Sequence, residues 1–276
     1  MTESPLRLAD DPAAVPIRDA ATVVLLRDGP AGPEAFLLQR VRALAFAAGM
    51  SVFPGGVVDE RDADADIGWV GPPAADWAAA LSAPEPLARA LVCAAVRETF
   101  EECGVLLAGP SAGSVCTVDG PQWADERAAL ERGDLSLAAM LAQHGLLLRA
   151  DLLRPWAHWI TPLGERRRYD TRFFVAALPS GQSTQDDAGE ADTVVWLPPA
   201  EALAQAERSE RGLLPPTSVT LSEIVGHRTV ADVLAAAERR TITPIMPRLD
   251  HDPDGIVVVL PDGRRIVPLV PGARKP

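Results

Sequence analysis

Cysteine is scarce in this chain, and what there is does not pair. Cys93, Cys103 and Cys116 are odd in number and form no C-x-x-C motif, which argues against a disulfide framework and against a zinc ribbon. Long apolar runs are missing too: none approaches the ~20 residues a helix needs to cross a bilayer, so no membrane partner is expected. The segment Met1 to Asp19 mixes acids, prolines and alanines without the apolar centre of a signal peptide, and a cytoplasmic location is the default expectation. Basic charge is in deficit. With 26 Lys and Arg against 38 Asp and Glu the net charge is −12, which disfavours a nucleic-acid partner. Any phosphate the protein binds must therefore be met by a metal or a local basic cluster. Internal repeats and proline-rich or charged linkers are absent as well, so nothing divides the chain into independent domains. What is present is 47% hydrophobic content and a mean hydropathy of +0.07 over 276 residues, the composition of a globular protein.

The most informative stretch is Arg97-Glu98-Thr99-Phe100-Glu101-Glu102-Cys103-Gly104-Val105. Pro84 and Pro86 fit only near the start of a helix, and Gly104 sits where a left-handed residue would end it, so a helix is predicted over about 86–103. Val92, Val96, Phe100 and Cys103 form an apolar stripe that requires a core. Glu98, Glu101 and Glu102 stand at i, i+3 and i+4 on the other side, where like charges repel. Either that face is simply solvated, or a cation neutralises it, and oxygen ligands of this kind suit Mg²⁺ or Mn²⁺.

Around this helix the chain reads as alternating short elements. Ala20 to Leu26 and Ala35 to Arg40 form a predicted hairpin about the turn beginning at Asp28-Gly29-Pro30. Val41 to Met50 is alanine-rich. Phe53-Pro54-Gly55-Gly56 follows, where paired glycines allow close backbone approach, and then a second acidic group, Asp59, Glu60 and Asp62. A short helix is predicted around Ala75 to Leu81, a strand over Val105 to Ala108, and amphipathic helices over Pro121 to Arg132 and Leu135 to His144. Two strands, Trp156 to Pro162 and Thr171 to Leu178, flank a basic loop in which Arg166, Arg167 and Arg168 read either as a phosphate cradle or as a solvated turn. Asp186, Asp187 and Glu190 lie in a loop before a strand, Thr193 to Leu197. Helices over Pro198 to Glu207, Ser218 to Val225 and Val230 to Arg239 come next, then a hairpin of Ile256 to Leu260 and Arg265 to Val270 about Pro261-Asp262-Gly263.

Taken together, these residues resemble the Nudix hydrolase superfamily, whose signature is G-x5-E-x7-R-E-U-x-E-E-x-G-U with U a bulky apolar residue. Gly56, Arg97, Glu98, Glu101, Glu102, Gly104 and Val105 match it. Two positions depart: Asp62 stands for the first glutamate and Thr99 for the first apolar residue. The spacing departs too, since 34 residues, 63 to 96, separate Asp62 from Arg97 where the signature has 7. An insertion inside the box, with FLLQR, SVFPGG, WITP, RRYDTRFF and LLPPT elsewhere, is similar to the branch containing a mammalian peroxisomal CoA diphosphatase and its bacterial relatives.

The resemblance implies an α/β (α+β) Nudix fold: an α/β/α sandwich around a mixed sheet, with a helical insertion and a C-terminal helical extension. It divides the chain into a tail, 1–19, a Nudix domain, 20–240, with the insertion at 62–85, and an extension, 241–276. It also implies metal-dependent hydrolysis of a nucleoside diphosphate derivative by a monomer or homodimer. Glu98, Glu101 and Glu102 are the implied ligands of Mg²⁺ or Mn²⁺, with Gly56 beside them, and Arg97 orients a helix carboxylate. The base is a carboxylate of the box or Glu190. Asp59, Glu60 and Asp62 all stay open as the loop acid. The Leu37 to Gly56 segment partly resembles a motif of CoA-cleaving members, which makes Arg40 and the Arg166 to Arg168 run candidates for binding CoA or acyl-CoA. ADP-ribose is the alternative substrate, and a non-catalytic nucleotide-binding regulator is the alternative of another class. The final residues are not a peroxisomal signal.

Overall fold

The computed structural model describes residues 11, 14–40, 50–64, 66–185, 191–252 and 255–269. Strand β1 (Ile17–Gly29) turns through Pro30 and Ala31 into β2 (Gly32–Arg40), and β3 (Met50–Val52) and β4 (Gly55–Val57) follow. A 3-10 turn at Glu60–Ala63 leads to β5 (Trp69–Val70), α1 (Ala74–Leu81) and α2 (Glu85–Cys103). Then come β6 (Ala108–Gly109), α3 (Pro121–Glu131), α4 (Leu137–Gln143), β7 (Leu147–Arg149), β8 (Leu153–Ile160), β9 (Arg168–Ala177) and β10 (Ala191–Leu197). The remainder is α5 (Pro199–Glu207), β11 (Gly212–Leu213), α6 (Pro215–Ile224), α7 (Val230–Ala237), β12 (Pro244–Ile245), β13 (Arg248–Asp252), β14 (Gly255–Val259) and β15 (Arg265–Ile266).

The principal sheet runs β11-β3-β2-β1-β9-β8-β12, with β10 also on β2 and β4 also on β1. It is mixed: β1 is antiparallel to β2 and β4 but parallel to β9. The centre of β1, Val23 to Leu26, is buried on both faces, as its unbroken apolar run requires. One face, with Val23, Leu25, Phe36 and Phe174, packs on α1 and α2. The other, with Val24, Leu26, Leu37 and Phe173, packs under the C-terminal helices α5 to α7 and under β14. The result is a mixed sheet between helical layers, as the resemblance implies.

Helix α2 begins at its prolines and ends at Gly104, which has φ +70°. Val92, Val96, Phe100 and Cys103 are fully buried, and burial pushes the Cys93 and Cys103 thiols up to about 12, so both are inert core residues. Several boundaries differ from the sequence reading. The strand expected over Val105 to Ala108 shrinks to Ala108–Gly109, because the Gln182 side chain, not a neighbouring strand, takes the Leu106 N–H at 2.9 Å and donates to the Leu106 carbonyl at 2.9 Å. Helix α6 starts before Ser218, since Pro215 and Pro216 occupy its first turn, where a missing N–H costs nothing. The C-terminal hairpin gains a third strand, β13, antiparallel to β14. Val41 to Gly49 falls outside the described residues.

The departure at Thr99 has a simple resolution. Its side chain is fully buried, and its hydroxyl donates to the Ala95 carbonyl at 2.7 Å, so no polar atom is stranded there. Replacing Thr99 by valine removes a donor from an acceptor that keeps its helical bond, and stability measured by urea denaturation is expected to change by no more than about 1 kcal/mol. A loss of several kcal/mol would show that the hydroxyl itself holds the helix.

Candidate active site

The site is built where the catalytic-looking face of α2 meets β4. The first two positions of that strand, Gly55 and Gly56, leave no room for a side chain. A Cβ on Gly56 would stand 2.3 Å from Glu98 Oε1, and one on Gly55 would stand 2.4 Å from the Ala21 carbonyl oxygen. The Gly55 N–H donates to Glu102 Oε2 at 2.7 Å. The paired glycines thus let carboxylates of a helix touch the backbone of a strand.

Arg97 holds the two elements together. Its Nε and Nη2 grip Asp62 Oδ1 and Oδ2 at 2.9 and 2.9 Å, and Nη2 also donates to the Val57 carbonyl at 2.9 Å. Its Nη1 donates to Glu98 Oε1 at 2.8 Å and Glu101 Oε2 at 3.0 Å. Burial alone opposes the charge on Arg97, but the Asp62 hydrogen bonds and the charges of Glu98 and Glu101 outweigh it and hold the guanidinium above its ordinary value. Burial pushes the Glu101 carboxyl up to about 7; Arg97 offsets part of that push, and Glu98 adds to it. Glu101 Oε1 is buried with no hydrogen-bond partner among the described residues.

The loop acids divide their labour. Asp62, 3% exposed, is spent on Arg97 and on the Asp59 N–H at 2.8 Å. Asp59 is bound by Arg61 through Nε and Nη2, each at 2.8 Å, bonds that hold its carboxyl well below the usual range. Glu60 is exposed and does not line the cavity. None of the three stands beside the helix glutamates as a free carboxylate. In the basic loop, Arg168 is buried and donates to the Thr161 carbonyl from Nε and Nη2 at 3.2 and 3.2 Å, Arg166 lies outside the cavity lining, and Arg167 lines it. Glu190 and the Arg40 side chain lie outside the described residues.

All of this opens into one cavity of about 1110 Å³ whose lining includes Glu98, Glu101, Glu102, Gly56, Arg18 and Arg167. Among the described residues no three His, Cys, Asp or Glu side chains converge on one point in this conformation: Glu98 and Glu101 lean on Arg97, and Glu102 on Gly55. The donor set nonetheless suits a hard divalent cation. Its ligands are carboxylate oxygens, one buried oxygen of Glu101 is unengaged, and the missing side chain of Gly56 lets the Glu98 carboxylate lie against β4.

Sequence reading missed two arginines. Arg127, 5% exposed, donates from Nε to the Glu101 carbonyl at 2.7 Å and from Nη1 to Gln185 Oε1 at 2.9 Å, tying α3 to the end of α2. Its signal was visible, since Trp123, Arg127 and Leu130 share the inner face of α3 at i, i+4 and i+7. Arg18 sits in register with Tyr169, a pairing between distant strands that no local pattern announces.

The family model described as the NUDT19 Nudix domain matches residues 74–224. The chain belongs to this family. Among curated relatives of the NUDT19 Nudix family, the chain is 26% identical over 296 residues to the acyl-coenzyme A diphosphatase NUDT19 of Gallus gallus, covering 88% of this chain and 78% of that protein. It is 29% identical over 269 residues to the Homo sapiens protein of the same name, covering 82% and 70%. Among solved structures, a Nudix hydrolase from Alicyclobacillus acidocaldarius superposes with a TM-score of 0.67 at 29% identity, covering 80% of this chain and 97% of that one. The NUDT19 Nudix match contains the glutamates of α2 and begins after the glycine loop. As a Nudix pyrophosphohydrolase, the chain belongs to enzymes that work with divalent cations.

Two outcomes follow from this geometry. Gly56→Ala should leave the thermal midpoint within a few degrees of the parent but cut turnover by about 10²-fold, the scale seen when reacting groups are displaced by about 1 Å. The second concerns protons. Between the ordinary carboxyl value of 4.5 and about 7 the folded, cation-free protein holds a proton on Glu101 that the unfolded chain has lost. Its stability therefore falls as pH rises through that window. A cation must displace the same proton, so Mn²⁺ affinity measured by calorimetry should rise from pH 5.5 to about 7 and level off above it. Glu101→Gln should flatten that rise.

Proposed function

We propose that the chain hydrolyses the diphosphate of CoA or acyl-CoA, giving 3′,5′-ADP and 4′-phosphopantetheine or its acyl form. The observation that carries this reading is one cavity lined both by the carboxylate site and by two guanidiniums, Arg18 and Arg167, without a carboxylate partner among the described residues. The relatives named acyl-coenzyme A diphosphatase support the substrate class.

A diphosphate is repelled by bare glutamates, so the ion belongs to the working site. Glu98, Glu101 and Glu102 would hold Mg²⁺ or Mn²⁺, which would supply charge neutralisation at the phosphoryl oxygens and an activated water. The protein's own residues do the rest. Asp62 and Val57 fix Arg97, Arg97 fixes Glu98 and Glu101, and Gly55 fixes Glu102, so the carboxylates keep their places as charge shifts during cleavage. Arg18 and Arg167 supply charge-assisted donors for a phosphate that is not cleaved, which in CoA is the 3′-phosphate.

Turnover of CoA, acyl-CoAs, ADP-ribose and NADH with Mg²⁺ or Mn²⁺, with the products resolved by chromatography, tests the reading. CoA or its esters are expected to give 3′,5′-ADP, and turnover of ADP-ribose alone would sink it. Glu102→Gln should lower the rate by at least about 10²-fold, whereas a nucleotide-binding regulator would bind unchanged and show no rate to lose. Arg167→Ala should lower kcat/KM for CoA by about tenfold, the size of one charge-assisted contact of about 1.5 kcal/mol, and leave dephospho-CoA unchanged.

A further inference from the structure

The cavity is longer than a diphosphate, and its far end is of another chemistry. Its floor is the face of the principal sheet under the C-terminal layer. Register lays Gly55 beside Thr22 and Thr22 beside Phe173, and in the next row Val57 beside Ala20, Ala20 beside Thr171 and Thr171 beside Trp159. The carboxylates reach the cavity at β4, so Trp159 on β8 stands three strands away, about 14 Å at the usual strand spacing. Trp159 and Phe173 are 4% and 6% exposed, and Val258 of β14 and Pro215 of α6 line the same cavity. In the core, Trp159, Phe173 and Val258 belong to one apolar cluster.

Hydroxyls of Thr161, Thr171 and Thr217 interrupt this surface, and so does one polar atom that lacks a partner. The indole Nε1 of Trp159 is buried and finds no hydrogen-bond acceptor among the described residues. A buried N–H of that kind is ordinarily satisfied, and leaving it unpaired costs stability. Apolar walls broken by isolated hydroxyls and one unpaired donor call for a ligand whose acceptors are widely spaced. A flexible chain that is mostly methylene, with isolated carbonyls, fits well.

We infer that the Trp159 end of the cavity is the subsite for the amide- and thioester-bearing tail of the substrate, with the Trp159 indole N–H donating to a tail carbonyl and Phe173 and Val258 enclosing its apolar part. The inference rests on the CoA reading above and adds to it the direction in which the substrate lies: diphosphate at β4, tail toward β8. It also gives the C-terminal sheet a role, since β14 walls the end that an acyl group would enter.

The test compares ligands that carry the tail with one that lacks it. With Mg²⁺ present, KM is measured for CoA and octanoyl-CoA, and Ki for 3′,5′-ADP as a product inhibitor, in the full chain and in Trp159→Phe, which keeps a ring and removes the donor. The expected result is a KM several-fold higher for both thiol and thioester substrates and an unchanged Ki for 3′,5′-ADP. If the parent chain cleaves no CoA compound, the CoA reading falls and this inference with it. If the parent cleaves CoA but KM and Ki both stay fixed, or both move together, the tail lies elsewhere and the inference alone is overturned. Should Trp159→Phe prove too unstable to assay, Val258→Ala, which enlarges the same end, reads the same quantity: the KM for octanoyl-CoA must shift relative to the Ki for 3′,5′-ADP.

Discussion

Five N–H groups of one buried guanidinium organise this enzyme. Arg97 spends each of them: one of its donors and one more bind Asp62, one binds the Val57 carbonyl, and two bind Glu98 and Glu101. That exhausts the planar fork an arginine offers. A lysine ammonium has three donors and no fixed plane, so it could not close the same set of contacts. The partners belong to three pieces of chain, the turn after β4, β4 itself and α2, so the bonds of this side chain define how they meet. A buried cation among carboxylates is costly unless every contact is made. Here every contact is made, and that is why the loop and the helix have one relative placement.

The insertion becomes intelligible from the same bond. In sequence, residues 63 to 96 separate Asp62 from Arg97; in space the two side chains are 2.9 Å apart. The extra chain leaves the site and returns to it. On the way it forms β5, which pairs with β7 in a small separate sheet, and α1, which buries Trp77 and Leu81 in the core beneath α2. Arg89 on α2 then donates to the Ile67 carbonyl at 2.9 Å and lies over the Trp69 ring at 5.0 Å, pinning the excursion to the helix. Loop closure costs little more for a longer loop, so an insertion that pays its own way in buried surface leaves the geometry at its ends intact.

Much of this was legible in the residues, and the illegible parts share a cause. Helix α2, its glycine stop and its two faces follow from local period and punctuation, and so does the β1–β2 hairpin. The glycines of β4 carried their own signal, since side chains would collide there with Glu98 and with β1. Asp62, Asp59 and Glu60 could not be separated in sequence, because what distinguishes them is partnership: Asp62 faces Arg97, Asp59 is taken by its neighbour Arg61, and Glu60 faces solvent. The run Arg166 to Arg168 looked uniform and is not. It straddles the start of β9, where strand alternation turns Arg168 inward onto Thr161 and leaves Arg167 at the cavity. Arg18 was hidden for the opposite reason, as a single charge in an unremarkable segment that long-range pairing brings to the site, whereas Arg127 betrayed itself only by falling on the apolar face of α3.

The resting site is arranged around an imbalance. Asp62, Glu98 and Glu101 bring three buried carboxylates to a single guanidinium, Arg97, with Glu102 half-buried beside them, and burial denies the three the screening that water would give. The structure answers partly with a backbone donor at Gly55 and partly by raising Glu101 toward neutrality. Neither removes the excess. A site left short of positive charge in this way favours a divalent ion over water, and it favours the ion more once a diphosphate brings further negative charge to the same cavity. Arg97 is fully occupied and cannot swing out to meet that charge. The protein therefore separates two tasks that a single arginine often combines: holding the carboxylates, which Arg97 does from within, and presenting positive charge to the cavity, which Arg18 and Arg167 do from exposed positions.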